Sequence, residues 1–406
     1  MMRAVTPQRV ATCDREDVMT PPIKPAMRPA LPFFSSGPTT KRPGWSPNIL
    51  SDAVLGRSHR SKAAKSKITE TMQLAREILQ MPDDYLIGIV PGSDTGAVEI
   101  ALWSMLGARG VDVLAWESFG KDWVNDIVGQ LRLDDVTLHQ APYGQLPDLA
   151  AVNFANDVVL TWNGTTSGVK LPDGDWITDD REGLVIADAT SACFAMQLPW
   201  TKLDVVTFSF QKAIGGEGAH GVMILSPRAV ERLNLYTPPW PIPKLFRLTK
   251  NGAFNASIFN GNTINTPSML VIEDALDALL WAQSIGGLPA LIDRSEACLA
   301  AIRRWVDASS IFGFLAEHPA TISNTSVTLS IIDPWFVALD AAQKAGFAAA
   351  LAARLDAEGV GYDLGSYRDA PAGLRIWAGP MVDASDVEAL LPWIDWAYAA
   401  QRAEMG

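Results

Sequence analysis

Two residues invite a chemical reading. Asp188 ends the apolar run LVIAD, which places a carboxylate at the carboxyl end of a buried strand. Lys212 follows DVVTFSFQ and precedes AIGGEGAHG, where the next strand opens into a glycine-rich loop. Ligands of α/β sheets bind along that edge, so a carboxylate and an amine 24 positions apart can meet on one small molecule. The segment PGSDTG, with Ser93, Asp94 and Thr95, lies between a strand and a helix whose first N–H groups can hold an anion. A lysine to trap a carbonyl, a carboxylate to keep a ring nitrogen protonated and a phosphate seat are the three demands of pyridoxal phosphate (PLP).

Singly, neither residue carries that conclusion. An aspartate at a strand end is ordinarily a helix cap, and a lysine beside glycines is ordinarily a solvated loop residue. A nucleotide-phosphate loop is disfavoured because the lysine precedes its glycines, the reverse of GxxxxGK[ST]. The pair on consecutive strand ends is what persuades.

The elements that must position these residues follow from periodicity. LIGIV (86–90), VDVLAW (111–116), DVVLTW (157–162), LVIADA (184–189), DVVTFSF (204–210) and GVMILS (221–226) are apolar on both faces. That pattern suits strands of a largely parallel sheet covered on both sides. Helical patterns such as TGAVEIALWSML and KDWVNDIVGQLR alternate with them, which predicts an α/β fold. Residues 236–265 are rich in Pro, Asn and Gly and too long for an ordinary connection, so a function is expected there. A long helix is predicted from TPSML, with Pro267 in its first turn and Gly286 at its end. Beyond about residue 315, strand SVTLSIID, helix FVALDAAQKAGFAAALAARLDAEG, strand LRIWAG and a last helix predict a smaller α/β domain. The expected division is a disordered leader over 1–30, which lacks apolar periodicity, a large domain over 31–290 and a small domain over 291–406. Met19 is an alternative start within that leader.

Composition narrows the partners. Lys plus Arg number 33 against 45 Asp plus Glu, a net charge of −12, which argues against nucleic acid or a membrane surface. Cys13, Cys193 and Cys298 form no framework, which suits a reducing, cytoplasmic compartment. His59, His139, His220 and His318 are scattered, so no metal site is expected. A small anionic substrate would need arginines gathered locally against the overall field.

The segments FSSGP (34–38), SHR (58–60), NGTTSG (163–168), IADATSA (186–192), FSFQKAIGGEGAHG (208–221), NTP (265–267) and LRIW (374–377), in this order and separation, resemble phosphoserine aminotransferases from about residue 31 to the C-terminus. The resemblance implies a fold-type-I PLP enzyme, a large domain with a mostly parallel sheet plus a smaller C-terminal α/β domain, working as a homodimer with shared active sites. It implies Lys212 as the Schiff-base lysine and Asp188 as the partner of the ring nitrogen. Phe119 matches the aromatic that stacks on the ring, where the family often has Trp; Trp123 is a competing candidate. Thr165 matches a threonine near the phenolic oxygen, and Gln211 a phosphate ligand. Ser93, Asp94 and Thr95 stand where many members carry a glycine–arginine pair, so the backbone of Asp94, not its carboxylate, is expected to face the phosphate. Asn265 and Thr266 match residues that reach the phosphate across the dimer interface.

For the substrate, the resemblance implies Arg375 as the α-carboxylate clamp, with His59, Arg60 and Arg368 near the distal anion. The implied reaction converts glutamate and the phosphorylated 2-oxo acid 3-phosphohydroxypyruvate to 2-oxoglutarate and O-phosphoserine, as in serine biosynthesis. It extends to 4-phosphohydroxythreonine in pyridoxine biosynthesis. The nearest alternative is another class-V aminotransferase of the alanine–glyoxylate type. A cysteine desulfurase fits poorly, since position 119 is Phe and Cys298 lies in a helical pattern. A non-catalytic nucleotide-binding α/β protein is the alternative of a different class.

Overall fold

The computed structural model describes residues 23–405. Seven strands form the central sheet: β1 (Leu86–Pro91), β2 (Val111–Ala115), β3 (Val136–Gln140), β4 (Asp157–Thr161), β5 (Val185–Asp188), β6 (Val205–Ser209) and β7 (His220–Leu225), in the order β1-β7-β6-β5-β4-β2-β3. Only β7 runs against the others, so six carboxyl ends and the amino end of β7 share one edge. All residues of β2, β4, β5, β6 and β7 are buried, as their unbroken apolar runs predicted. The edge strand β3 was not predicted, because its half-exposed VTLHQ has no continuous apolar run.

Helices α1 (Lys62–Ile78), α2 (Ser93–Met105), α3 (Ser118–Val124), α4 (Pro227–Leu235) and α5 (Met269–Ser284) belong to the same domain, and apolar clusters line both faces of the sheet. Helix α5 is capped by Ser268, so Pro267 precedes the helix rather than sitting in its first turn. The predicted domain boundary after residue 290 falls inside helix α6 (Leu288–Ala308). The chain instead breaks at Gly286 and Gly287, whose φ angles of +117° and +71° suit glycine, with an 89° bend between α5 and α6. No single helix among the described residues is long and apolar enough to cross a membrane; α5 and α6 together would be, but they are bent by 89°. They carry the buried Ile272, Leu279, Leu291 and Ile302 of the main apolar cluster.

The small domain holds an antiparallel sheet of β8 (Phe312–Phe314), β9 (Ser326–Ile331) and β10 (Gly373–Trp377), with helices α7 (Ala341–Ala357) and α8 (Ala384–Met405). The single helix predicted from residue 336 is in fact broken: Asp340 and Gln343 form a capping box that starts α7 afresh.

Residues 1–22, most of the predicted leader, lie outside the described residues. From Lys24 to Ala30 the expectation of an unpacked leader is corrected. Lys24 pairs with Glu358 at 2.6 Å, the amide of Ala30 donates to Asp386 at 2.6 Å, and Trp393 donates to the carbonyl of Met27 at 2.7 Å. Backbone bonds from Tyr362 to Pro32 and from Trp377 to Phe34 extend this attachment. These contacts use backbone and charge rather than an apolar stripe, so periodicity could not announce them.

Candidate active site

The shared strand edge gathers the chemistry. After β1 the chain turns through Gly92 and Ser93, at φ +89° and +59°, and both amides donate to the carbonyl of Ala219 at 3.2 Å. This turn starts α2 with its first-turn amides at the same edge. The Ser93 hydroxyl accepts from the amide of Gln211 at 3.0 Å and lies 3.3 Å from that of Ser209, which is 3.3 Å from that of Thr190. Three hydroxyls and a carboxamide thus cluster over the start of α2. The Ser93 amide is committed to Ala219, so its hydroxyl is the group presented to this cluster.

Asp188 is held from two sides. The indole of Trp123 donates to Oδ2 at 3.1 Å and the amide of Thr190 to Oδ1 at 3.1 Å. Burial still pushes the acid upward from its ordinary range, against those stabilising bonds. Trp123, buried in the core, orients this carboxylate with its indole N–H. Asp94 turns its carboxyl inward toward Asp188, and burial followed by the charge of Asp188 raises it well above the usual range. Glu117, also raised chiefly by burial, caps α3 through Gly120 and accepts from the amide and hydroxyl of Thr166. That carboxyl fixes the turn of Thr165 against the helix bearing Phe119.

Lys212 lies just past β6, and its Nζ donates to the carbonyl of Ser36 at 2.5 Å. Burial, with Arg375 adding repulsion, lowers its ammonium to about 8 from 10.5, so far more of it is free amine near neutrality than in an ordinary lysine. The chain passes so close that a Cβ on Gly37 would stand 2.8 Å from that nitrogen. This explains the glycine of FSSGP. Arg375 projects from β10; one terminal nitrogen reaches the carbonyl of Thr165 at 3.4 Å, and its Nε is buried without a partner. Burial depresses the guanidinium as well.

The remaining sequence-derived residues divide. Thr165 is buried beside Arg375, and Phe119 is half-buried, its ring 5.6 Å from that of Tyr367. Tyr367 was not foreseen; it also lies 5.6 Å from the Arg375 guanidinium and accepts from Arg368 at 2.7 Å. Arg368 itself is exposed, as is Thr95. His59 and Arg60 contact one another at 3.4 Å, while Asn265 and Thr266 face outward on a segment whose Ser268 amide donates to His220 at 2.9 Å. Among the described contacts none joins His59, Arg60, Asn265 or Thr266 to Lys212. Thr190, Ser209 and Glu117 do not stand out in the sequence as site residues; their signal is position, each at or just beyond a strand's carboxyl end.

No protein-family model matches the chain. Comparison with known proteins is nonetheless decisive. The phosphoserine aminotransferase of Methanosarcina mazei is 56% identical over 376 residues, covering 93% of this chain and 99% of that protein. Among solved structures, a phosphoserine aminotransferase from Cytophaga hutchinsonii superposes with a TM-score of 0.73 at 20% identity, covering 89% of this chain and 97% of that one. A pyridoxamine–pyruvate aminotransferase from Mesorhizobium loti gives the same TM-score of 0.73 at 20% identity, over 92% and 93% of the two chains. The architecture is therefore common to several aminotransferases, and sequence identity makes the finer distinction: this chain belongs to the phosphoserine aminotransferase family.

Proposed function

We propose that this protein transfers the amino group of glutamate to 3-phosphohydroxypyruvate, using PLP, to give O-phosphoserine and 2-oxoglutarate. The observation that carries the reading is the buried Lys212 and Asp188 with the half-buried Arg375 at one strand edge, within a family of that activity.

The residues present fit the cofactor. The hydroxyls of Ser93, Thr190 and Ser209, with Gln211 and the first turn of α2, would hold its phosphate. Asp188, held by two N–H donors, would keep the ring nitrogen protonated, and Phe119 would flank the ring. When bound, PLP supplies an electron sink for negative charge at the substrate's α-carbon. Lys212, with a depressed ammonium, serves as the anchoring amine and moves the α-proton as general acid and base. The unpartnered Nε of Arg375 points to a planar anion as its complement, and a substrate α-carboxylate satisfies it bidentately.

The protein works as a homodimer, with Asn265 and Thr266 of one protomer completing the phosphate seat of its partner. His59, Arg60 and Arg368 serve the distal anion in that assembly. Their exposure in a single chain, and a site short of cations in a protein of net charge −12, support this arrangement. The cytoplasm is the proposed compartment, given that Cys193 and Cys298 are free and buried.

An absorption band near roughly 410–430 nm that Lys212→Ala abolishes tests the cofactor and its anchor. Assaying glutamate against a panel of 2-oxo acids tests the substrate. Preference for pyruvate or glyoxylate would replace this reading with another class-V transamination.

A further inference from the structure

The carboxyl of Asp94 has no role in the chemistry so far. An acidic residue in the first turn of a helix is normally solvated and ionised, where the helix dipole favours its charge. Asp94 is instead 6% exposed, and its Oδ1 has no hydrogen-bond partner. It lies beside Asp188, itself 4% exposed, with Thr207 flanking it from β6 in register with Asp188. The Thr207 hydroxyl completes no hydrogen bond. Two ionised carboxylates cannot share so dry a place, so a single proton must be divided between them.

The hydrogen bonds decide which acid keeps it. Asp188 receives N–H bonds from Trp123 and Thr190, and both favour its anion. Asp94 has neither, and a protonated carboxyl is the form that can donate. The other charges facing the pair are Lys212 from the loop after β6 and, beside Asp188, Glu117 from the turn after β2; the Cys193 thiol is buried nearby. Lys212 brings at most one positive charge to the pair, so it leaves two ionised carboxylates uncompensated.

We infer that Asp94 is a positioning residue: as a neutral acid it donates a hydrogen bond to Asp188, fixing that carboxylate and leaving the pair one negative charge. With Asp188 as the partner of the cofactor's ring nitrogen, the role proposed above, Asp94 limits how basic that partner is. It also explains why this chain tolerates an aspartate beside a phosphate seat.

The test compares the wild type with Asp94→Asn, which keeps a donor but cannot ionise, and with Asp94→Ala, which keeps neither. The first readout needs no cofactor: melting of the PLP-free protein between pH 5 and 9, a range chosen around neutrality. An acid whose folded pKa is raised contributes stability at low pH that is lost as pH rises through the folded value. The wild type should therefore lose melting temperature relative to Asp94→Asn as pH rises. The second readout is PLP affinity. Asp94→Asn should stay within about threefold of wild type at the acid end, while Asp94→Ala should weaken binding about tenfold, the size of one charge-assisted hydrogen bond. Parallel melting curves for wild type and Asp94→Asn would overturn the shared proton while leaving the cofactor reading intact. Wild-type protein that takes up no PLP would overturn the cofactor reading, whatever the melting curves show.

Discussion

The two edges of the central sheet bury the same residue type in opposite ways. At the amino edge, Asp157 and Asp204 are 0% and 1% exposed, and each meets arginine in a two-pronged pair. Arg232 reaches both oxygens of Asp157 at 2.7 and 2.9 Å, and Arg181 both of Asp204 at 3.1 and 3.2 Å. Ser226 and the amides of Leu184 and Val185 take up remaining lone pairs. At the carboxyl edge, Asp188 and Asp94 are buried almost as deeply, but no arginine among the described residues pairs with either. Satisfied charge pins a chain connection, whereas under-satisfied charge retains chemical potential for a ligand. The difference separates a structural carboxylate from a functional one.

Breaking each edge should therefore give opposite phenotypes. Lys212→Ala should have the largest effect, cutting turnover by roughly 10⁴-fold through loss of the proton-transfer group, with little change in melting temperature. Asp188→Asn should follow, retaining PLP but losing roughly 100-fold or more in turnover with glutamate. Near-normal turnover would show that Asp188 is not the ring-nitrogen partner.

Arg232→Ala attacks the other edge. It strands the buried Asp157 carboxylate, so denaturant unfolding should report a loss of about 3–5 kcal/mol. The pH profile of turnover in the surviving folded protein should not move. A shifted profile would erase the distinction between the edges.

Arg375→Ala should reduce kcat/KM about ten- to a hundredfold for both substrates, since both carry an α-carboxylate. Arg60→Ala should spare glutamate and weaken 3-phosphohydroxypyruvate by the lower part of that range. Equal losses would place Arg60 outside the distal pocket. The smallest effect sharpens the site's pH response. PLP uptake by the cofactor-free protein should climb as pH approaches about 8 and level off above it, because burial lowers the ammonium of Lys212 and the free amine is the reactive form. A rise continuing toward pH 10.4, the ordinary lysine value, would mean that burial does not tune this amine.

Much of this was legible beforehand, for physical reasons. Strands buried on both faces leave continuous apolar runs, so β4, β5 and β6 and the residues ending or following them could be placed directly. The half-exposed β3 left no such run. The functions of Trp123, Thr190 and Glu117 depend on which neighbour a side chain faces, which linear order does not encode. The inward turn of Asp94 belongs to the same class. Lys24 to Ala30 show a further limit: polar and backbone attachments to Glu358 and Asp386 link residues 330 to 356 positions apart.

The attachment of residues 23–36 has a mechanical consequence. Phe34 is tied by its carbonyl to Trp377 at the end of β10, and Ser36 by its carbonyl to the nitrogen of Lys212. Two residues of chain span at most about 7 Å, so this is a short tether with almost no slack. Any excursion of the small domain beyond a few ångströms must either stretch it or pull an acceptor away from the reactive amine. The strand that carries the carboxylate clamp and the lysine that moves the proton are thus geared together, and opening the pocket necessarily disturbs the amine that works inside it.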